Sequence, residues 1–148
     1  MLPCLSAKST NESRLHQTPM KHSYKRRVSF ADTDAAGVVH FSRLLCYAEE
    51  AEHDLLDKLA IPLLSGGGWP RVHIDCDYLA PVRVGDTVEV AITPVKVGRS
   101  SIQWEFSMTS AGTAAETVVA KGHMKTVRVD ESGKPAELDG NWRSLLTS

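Results

Sequence analysis

The stretch Phe30–Leu59, FADTDAAGVVHFSRLLCYAEEAEHDLLDKL, changes its period partway along and thereby sets the architecture of the chain. In its second part, SRLLCYAEEAEHDLLDKL (42–59), Leu44, Ala48, Ala51, Leu55 and Leu59 recur at spacings of three and four. Leu45 and Leu56 widen that apolar stripe, while Glu49, Glu50, His53, Asp54, Asp57 and Lys58 fall largely outside it. The spacing predicts an amphipathic helix of about five turns, roughly 27 Å long. Pro62 disfavours helical geometry at Ile61, so the helix is expected to end near there, before the flexible Ser65–Gly68 connection. The first part holds two carboxylates, Asp32 and Asp34, between a strand end and Gly37.

Outward from this stretch the pattern is strand-like. HSYKRRVSF (22–30) places Tyr24, Val28 and Phe30 on one side of an alternation. In WPRVHIDCDYLAP, Val72, Ile74, Cys76 and Tyr78 alternate with Arg71, His73, Asp75 and Asp77, predicting a half-buried antiparallel strand with an apolar inner face. TVEVAITPVKV alternates through Val88, Val90 and Ile92 until Pro94, which suggests a bulge or an edge. SIQWEFSM puts Ile102, Trp104, Phe106 and Met108 on one face, and a long run follows from Thr117 to Val129. Turns at Gly85-Asp86, Gly98–Ser100, Ala111-Gly112 and Glu131–Lys134 separate these runs, and the last begins a tail. Strand, acidic loop, one long helix, then four strands in a meander: this order predicts an α+β fold with a sheet wrapped around a single helix.

Composition narrows the function classes. A length of 148 residues suits one domain, and a formal net charge of −1 gives no positive field to recruit nucleic acid or an anionic membrane. No run approaches a membrane span. Cys4, Cys46 and Cys76 are an odd number without metal-type spacing and read as reduced thiols of a cytoplasmic protein. Residues 1–20 read as a flexible extension lacking a signal peptide's apolar core, with Met20 as an alternative start, and 21–148 as the domain.

The acids admit two readings. An Asp just before a helix caps exposed N–H groups and complements the dipole, which is the simpler account of either one alone. Against it, Ala35, Ala36 and Gly37 leave the backbone open to close approach, and the following helix offers unpaired amides to a developing oxyanion. A carboxylate beside such donors suits attack on an acyl carbonyl. A phosphatase-type Asp-x-Asp loop fits poorly, because Ala35-Ala36 follows and the later strands look antiparallel. A magnesium site lacks a further acidic cluster. His40 lies nearest the acids and is a candidate proton carrier, although packing explains it equally well. Arg99, Ser100 and Ser101 form an ordinary polar hairpin or, functionally, a phosphate cradle. Trp69, Trp104 and Trp142 read as packing residues before ligand platforms, and Trp69, after three glycines, is the best exception.

The run FADTDAAGVVHFSRLLCYAEEA resembles the hotdog-fold thioesterases of the 4-hydroxybenzoyl-CoA thioesterase type, which typically carry Asp-x-Asp-x-x-Gly-[IV]-Val before this helix. The version DTDAAGVV is most similar to the branches of dihydroxynaphthoyl-CoA and Tol–Pal-associated acyl-CoA thioesterases, and DYLAPVRVGD (77–86) agrees more loosely. The resemblance implies a five-stranded antiparallel sheet around the helix, chains joined edge to edge as a homodimer or homotetramer, and active sites at subunit interfaces. It implies a CoA thioester substrate, no metal and no cofactor. By the same resemblance Asp34 is the nucleophile or general base, the Phe41 backbone N–H polarises the carbonyl, Gly37 shapes the loop and Asp32 supports it. Arg99 matches a position used for CoA phosphates, with Ser100 and Ser101 beside it; His40 and Trp69 complete the expected substrate-binding set. Many relatives carry Tyr-His where this chain has His40-Phe41, so no catalytic histidine is carried over. A non-catalytic acyl-CoA or acyl-carrier-protein binding module on the same fold is the alternative.

Overall fold

The computed structural model describes residues 20–111 and 116–148. The expected extension, Met20 apart, and the Ala111-Gly112 turn beyond Ala111 lie outside them. Strand β1 (His22–Arg27) leads through a short 3-10 turn (Phe30–Asp32) to helix α1 (Phe41–Lys58). Strands β2 (Arg71–Tyr78), β3 (Thr87–Val97), β4 (Ser101–Ala111) and β5 (Glu116–Val127) follow, then helix α2 (Gly140–Thr147). All pairings are antiparallel, and the order across the sheet is β1-β3-β4-β5-β2. One long helix held by a five-stranded antiparallel sheet is the arrangement the sequence led us to expect.

The core forms where the two periods meet. From α1 come Leu44, Tyr47, Ala48, Ala51, Leu55 and Leu56; from the sheet come Val88, Val90, Ile92, Ile102, Trp104, Phe106 and Met108, all buried. The Trp104 indole N–H donates to Thr126 Oγ1 at 3.0 Å, so this large ring enters the core with its one polar group satisfied. Gly122 on β5 is obligatory for packing, because a Cβ there would lie 2.0 Å from the Asp75 carbonyl and 2.8 Å from the Phe106 ring.

Four expectations are corrected. Only β3, β4 and β5 form a meander; β2 pairs with β5 at the far edge, and the chain from Leu79 to Asp86 crosses back so that β3 lies beside β1. That crossing passes the start of α1, where the Val39 N–H donates to Val82 O at 2.8 Å. Phe30 is not an inner-face residue, since β1 ends at Arg27 and the 3-10 turn leaves its ring 83% exposed. On β2, a register shift between Arg71 and His73 turns Arg71 inward and leaves Val72 exposed. Tyr78 is exposed as well, at the open end of that strand. Finally, the tail carries α2, capped by Asp139 and anchored by buried Leu146. Pro94 does sit at a bulge, between the pairs Pro94–Trp104 and Lys96–Gln103.

Candidate active site

The acidic loop is a chain of capping devices. The Ser29 N–H donates to Asp32 Oδ2 at 3.1 Å, closing the 3-10 turn. Asp32 is buried, and the Tyr47 hydroxyl donates to its Oδ2 at 2.7 Å. Arg26 and Arg43 stand 3.5 and 3.6 Å from its oxygens. Burial alone would raise the Asp32 pKa, but the Tyr47 and Ser29 hydrogen bonds and the two guanidinium charges hold it below the ordinary carboxylate value. The Asp32 carbonyl in turn accepts the His40 N–H at 2.9 Å, which ties the loop to the start of α1.

Asp34 is placed differently. Its N–H donates to Val38 O at 2.8 Å, and its carbonyl accepts the Gly37 N–H at 3.0 Å. Gly37 has φ +77°, in the left-handed region that favours glycine, so the tight loop depends on it. Asp34 Oδ1 accepts the Ala36 N–H at 2.8 Å; among the described residues Oδ2 has no hydrogen bond, and the side chain is exposed. His40 is the N-cap of α1, its Nδ1 accepting the Ser42 N–H at 3.3 Å and lying 2.7 Å from Ser42 Oγ. The next amide, Phe41 N–H, opens the helix and has no hydrogen-bond partner among the described residues.

Asp34, His40, Phe41, Leu44, Tyr78 and Leu79 line a single open cleft of about 500 Å³ together with the 80–82 segment. The structure therefore brings three expected residues, Asp34, His40 and Phe41, to one cavity, with Gly37 shaping its rim and Asp32 buried behind it. It adds Tyr78, which the alternating pattern had assigned to the strand's inner face, and Leu79, to which the pattern gave no role. Trp69, Arg99, Ser100 and Ser101 are elsewhere in the chain. The Trp69 indole N–H donates to Pro62 O at 2.9 Å, beyond the other end of α1, and its ring lies against Arg128 and Trp142. The Gly98–Ser101 turn sits at the Arg71 end of the sheet, where Leu138 N–H donates to Arg99 O and Arg128 N–H to Ser100 O. The Arg99 side chain is 83% exposed, and its one ion-pair partner among the described residues is Glu137, at 3.8 Å. Among the described residues no cluster of His, Cys, Asp or Glu is set to hold a metal ion, and no helix is long and apolar enough to cross a membrane.

Comparison with known proteins gives one consistent answer. The sequence profile of the Thioesterase superfamily matches residues 36–117. A 1,4-dihydroxy-2-naphthoyl-CoA hydrolase of Nostoc punctiforme is 37% identical over 120 residues, covering 78% of each chain. The counterpart from Thermosynechococcus vestitus is 34% identical over 115 residues, covering 74% of this chain and 78% of its own. Among solved structures, a 1,4-dihydroxy-2-naphthoyl-CoA thioesterase from Synechocystis superposes with a TM-score of 0.77 at 27% identity, covering 86% of this chain and 96% of that one. A 4-hydroxybenzoyl-CoA thioesterase mutant complexed with 4-hydroxybenzoyl-CoA shares the fold, with a TM-score of 0.79 at 16% identity, covering 86% and 99%.

Proposed function

We propose a mechanism on this premise: the chain belongs to the thioesterase superfamily and is an acyl-CoA thioester hydrolase. The substrate class we infer is arylacyl-CoA, with 1,4-dihydroxy-2-naphthoyl-CoA as the leading member, because that compound names the relatives. The thioester carbonyl sits at the amino end of α1 with its oxygen toward the Phe41 N–H. Asp34 either takes a proton from water as the water oxygen attacks the carbonyl carbon, or attacks it directly through Oδ2. In the first route the tetrahedral intermediate collapses by breaking the C–S bond, and the proton passes to the CoA thiolate. In the second, thiolate leaves first and water then cleaves the acyl-aspartyl anhydride. Either route ends in free acid and CoA. The observation that carries this reading is the shared cleft: a carboxylate with a spare oxygen beside an unpaired helix-opening amide.

Arg99, Ser100 and Ser101 enter through a second subunit. Strand β2 is an edge, with β5 as its one partner among the described residues. A homodimer in which two β2 strands pair antiparallel sets the Arg71 end of one protomer against the Tyr78 end of the other. The partner's Gly98–Ser101 turn then lies three strand spacings away, roughly 14 Å, within reach of the nucleotide end of CoA. Pairing of such dimers into tetramers is compatible with this edge. The free thiols of Cys46 and Cys76 support a reducing, cytoplasmic setting.

Asp34→Asn tests the reading. Asn keeps an oxygen for the Ala36 N–H, so the fold is expected to stay intact while thiol release from the CoA ester falls about a thousandfold or more. Retained turnover in a normally melting variant removes Asp34 from the mechanism, and CoA-ester binding without release in the wild type points to the binding-module alternative.

A further inference from the structure

We propose that Tyr78 determines acyl-group specificity, its ring walling a planar arylacyl group and its hydroxyl hydrogen-bonding a hydroxyl on that group. The inference rests on the thioesterase reading and extends it. Three large apolar side chains crowd one cleft while exposed to water: Phe41 at 58%, Tyr78 at 46% and Leu79 at 52%. Single exposed apolar residues are ordinary, but three converging beside a carboxylate and a helix start mark a ligand surface. Their arrangement is shaped for a flat group. The Phe41 and Tyr78 rings meet nearly perpendicular, at 81° with centroids 6.1 Å apart, and His40 lies tilted against Phe41 at 4.5 Å. A planar ring system in that corner stacks on one face and takes an edge contact from the other, whereas a flexible aliphatic chain gains nothing from the angle.

The hydroxyl supplies the second half of the argument. Tyr78 Oη donates to Phe41 O at 3.3 Å, longer than a good O–H···O hydrogen bond. That carbonyl belongs to the first turn of α1 and already serves the helix ladder, so the hydroxyl is held loosely and can turn toward a ligand. Burial and the neighbouring Cys76 push the Tyr78 hydroxyl above its ordinary pKa, so near neutral pH it keeps its proton and can donate. It also stands one residue's backbone from the Phe41 amide, where a ring hydroxyl beside the thioester carbonyl would lie.

The test uses 1,4-dihydroxy-2-naphthoyl-CoA, 2-naphthoyl-CoA and hexanoyl-CoA with the wild type, Tyr78→Phe and Tyr78→Leu. Tyr78→Phe is expected to lower kcat/KM for the dihydroxy substrate about fivefold to tenfold, the value of one neutral hydrogen bond, and to leave the other two within about twofold. Tyr78→Leu is expected to lower both aryl substrates about tenfold and to spare hexanoyl-CoA. Equal loss on all three, or no loss on any, overturns the assignment while leaving the thioesterase reading intact. Should the wild type hydrolyse none of them, that reading fails instead. Equilibrium binding of 1,4-dihydroxy-2-naphthoic against 2-naphthoic acid then decides the matter for Tyr78: a ratio of affinities unchanged in Tyr78→Phe sinks it.

Discussion

At its amino end α1 opens on a cleft where Phe41, Tyr78 and Leu79 stand in water beside an aspartate with a spare oxygen. Past its carboxyl end the chain runs into a plug. There the Arg128 guanidinium lies 5.2 Å from the Trp69 ring and 5.3 Å from that of Trp142, and Arg128 donates to Ser65 O at 2.9 Å. Both regions are rich in aromatic and charged groups, so composition does not separate them. Their hydrogen-bond and stacking partners do. In the plug the aromatic faces are occupied by another side chain, and the indole N–H of Trp69 is taken. At the cleft Phe41, Tyr78 and Leu79 stay about half exposed, and neither Asp34 Oδ2 nor the Phe41 N–H has a hydrogen-bond partner among the described residues. The plug seals an unpaired group of its own, Arg128 Nη1, away from solvent, whereas the cleft leaves its unpaired groups open, which supports the cleft as the proposed substrate end.

The contrast is broken most sharply by exchanging consequences. Asp34→Asn should cost about 4 kcal/mol of transition-state stabilisation and almost nothing in folding, as a thiol-release assay beside a thermal melt will show. Trp69→Ala should do the reverse. It removes a half-buried ring, two stacking partners and an indole hydrogen bond, an expected loss of about 2–3 kcal/mol in denaturant unfolding. Its kcat should remain within about twofold. A large kcat loss with normal stability would move Trp69 to the site, against its position in the protomer.

Asp32 sits between these extremes, at the cleft but buried. Asp32→Asn should destabilise by about 1–3 kcal/mol, because Tyr47, Arg26 and Arg43 lose a charged partner. The sign with pH follows from its lowered folded-state pKa. The stabilisation is complete above the unfolded carboxyl value of about 4, and it is lost as pH falls through the folded value. The stability gap between wild type and Asp32→Asn should therefore be flat from pH 7 to about 5 and close in stronger acid. A gap that widened on acidification would contradict the ion-pair account.

Local pattern was enough for the helix, for the inner face of β3 and β4, and for the acidic loop, because each is written in neighbouring residues. What sequence missed is non-local. Glu52 falls within the apolar stripe and is fully buried, a position explained by Arg71, whose guanidinium meets it at 2.7 Å. Arg71 points inward through a bulge that pairing with β5 creates. Burial pushes the Glu52 carboxyl up, so the pair is held in place by geometry that no window of the sequence contains. The place of β2 at the sheet edge was hidden for the same reason, since an eight-residue crossing decides it. Between Asp32 and Asp34 local physics offered no choice and the family resemblance did; the structure adds that one acid is engaged on every side and the other is not.

The smallest expected effect probes the far end of the sheet. In its own protomer Arg99 is remote from Asp34, separated by roughly the 23 Å length of β2. Its guanidinium has a weak, solvent-exposed partner in Glu137. If a paired β2 edge carries Arg99 to the other subunit's cleft, it meets CoA phosphate and nothing of the acyl group. Arg99→Ala should then raise KM for a CoA thioester about fivefold, the worth of one exposed charge-assisted contact, with kcat unchanged. The same acyl group on pantetheine, which lacks the nucleotide, should be hydrolysed equally by wild type and variant. Raising the salt concentration should erase the difference on CoA, because the contact lies in solvent. Loss on both substrates would show instead that Arg99 acts through the fold of its own protomer, where its carbonyl anchors Leu138, and the two ends of the sheet would then be unconnected in function.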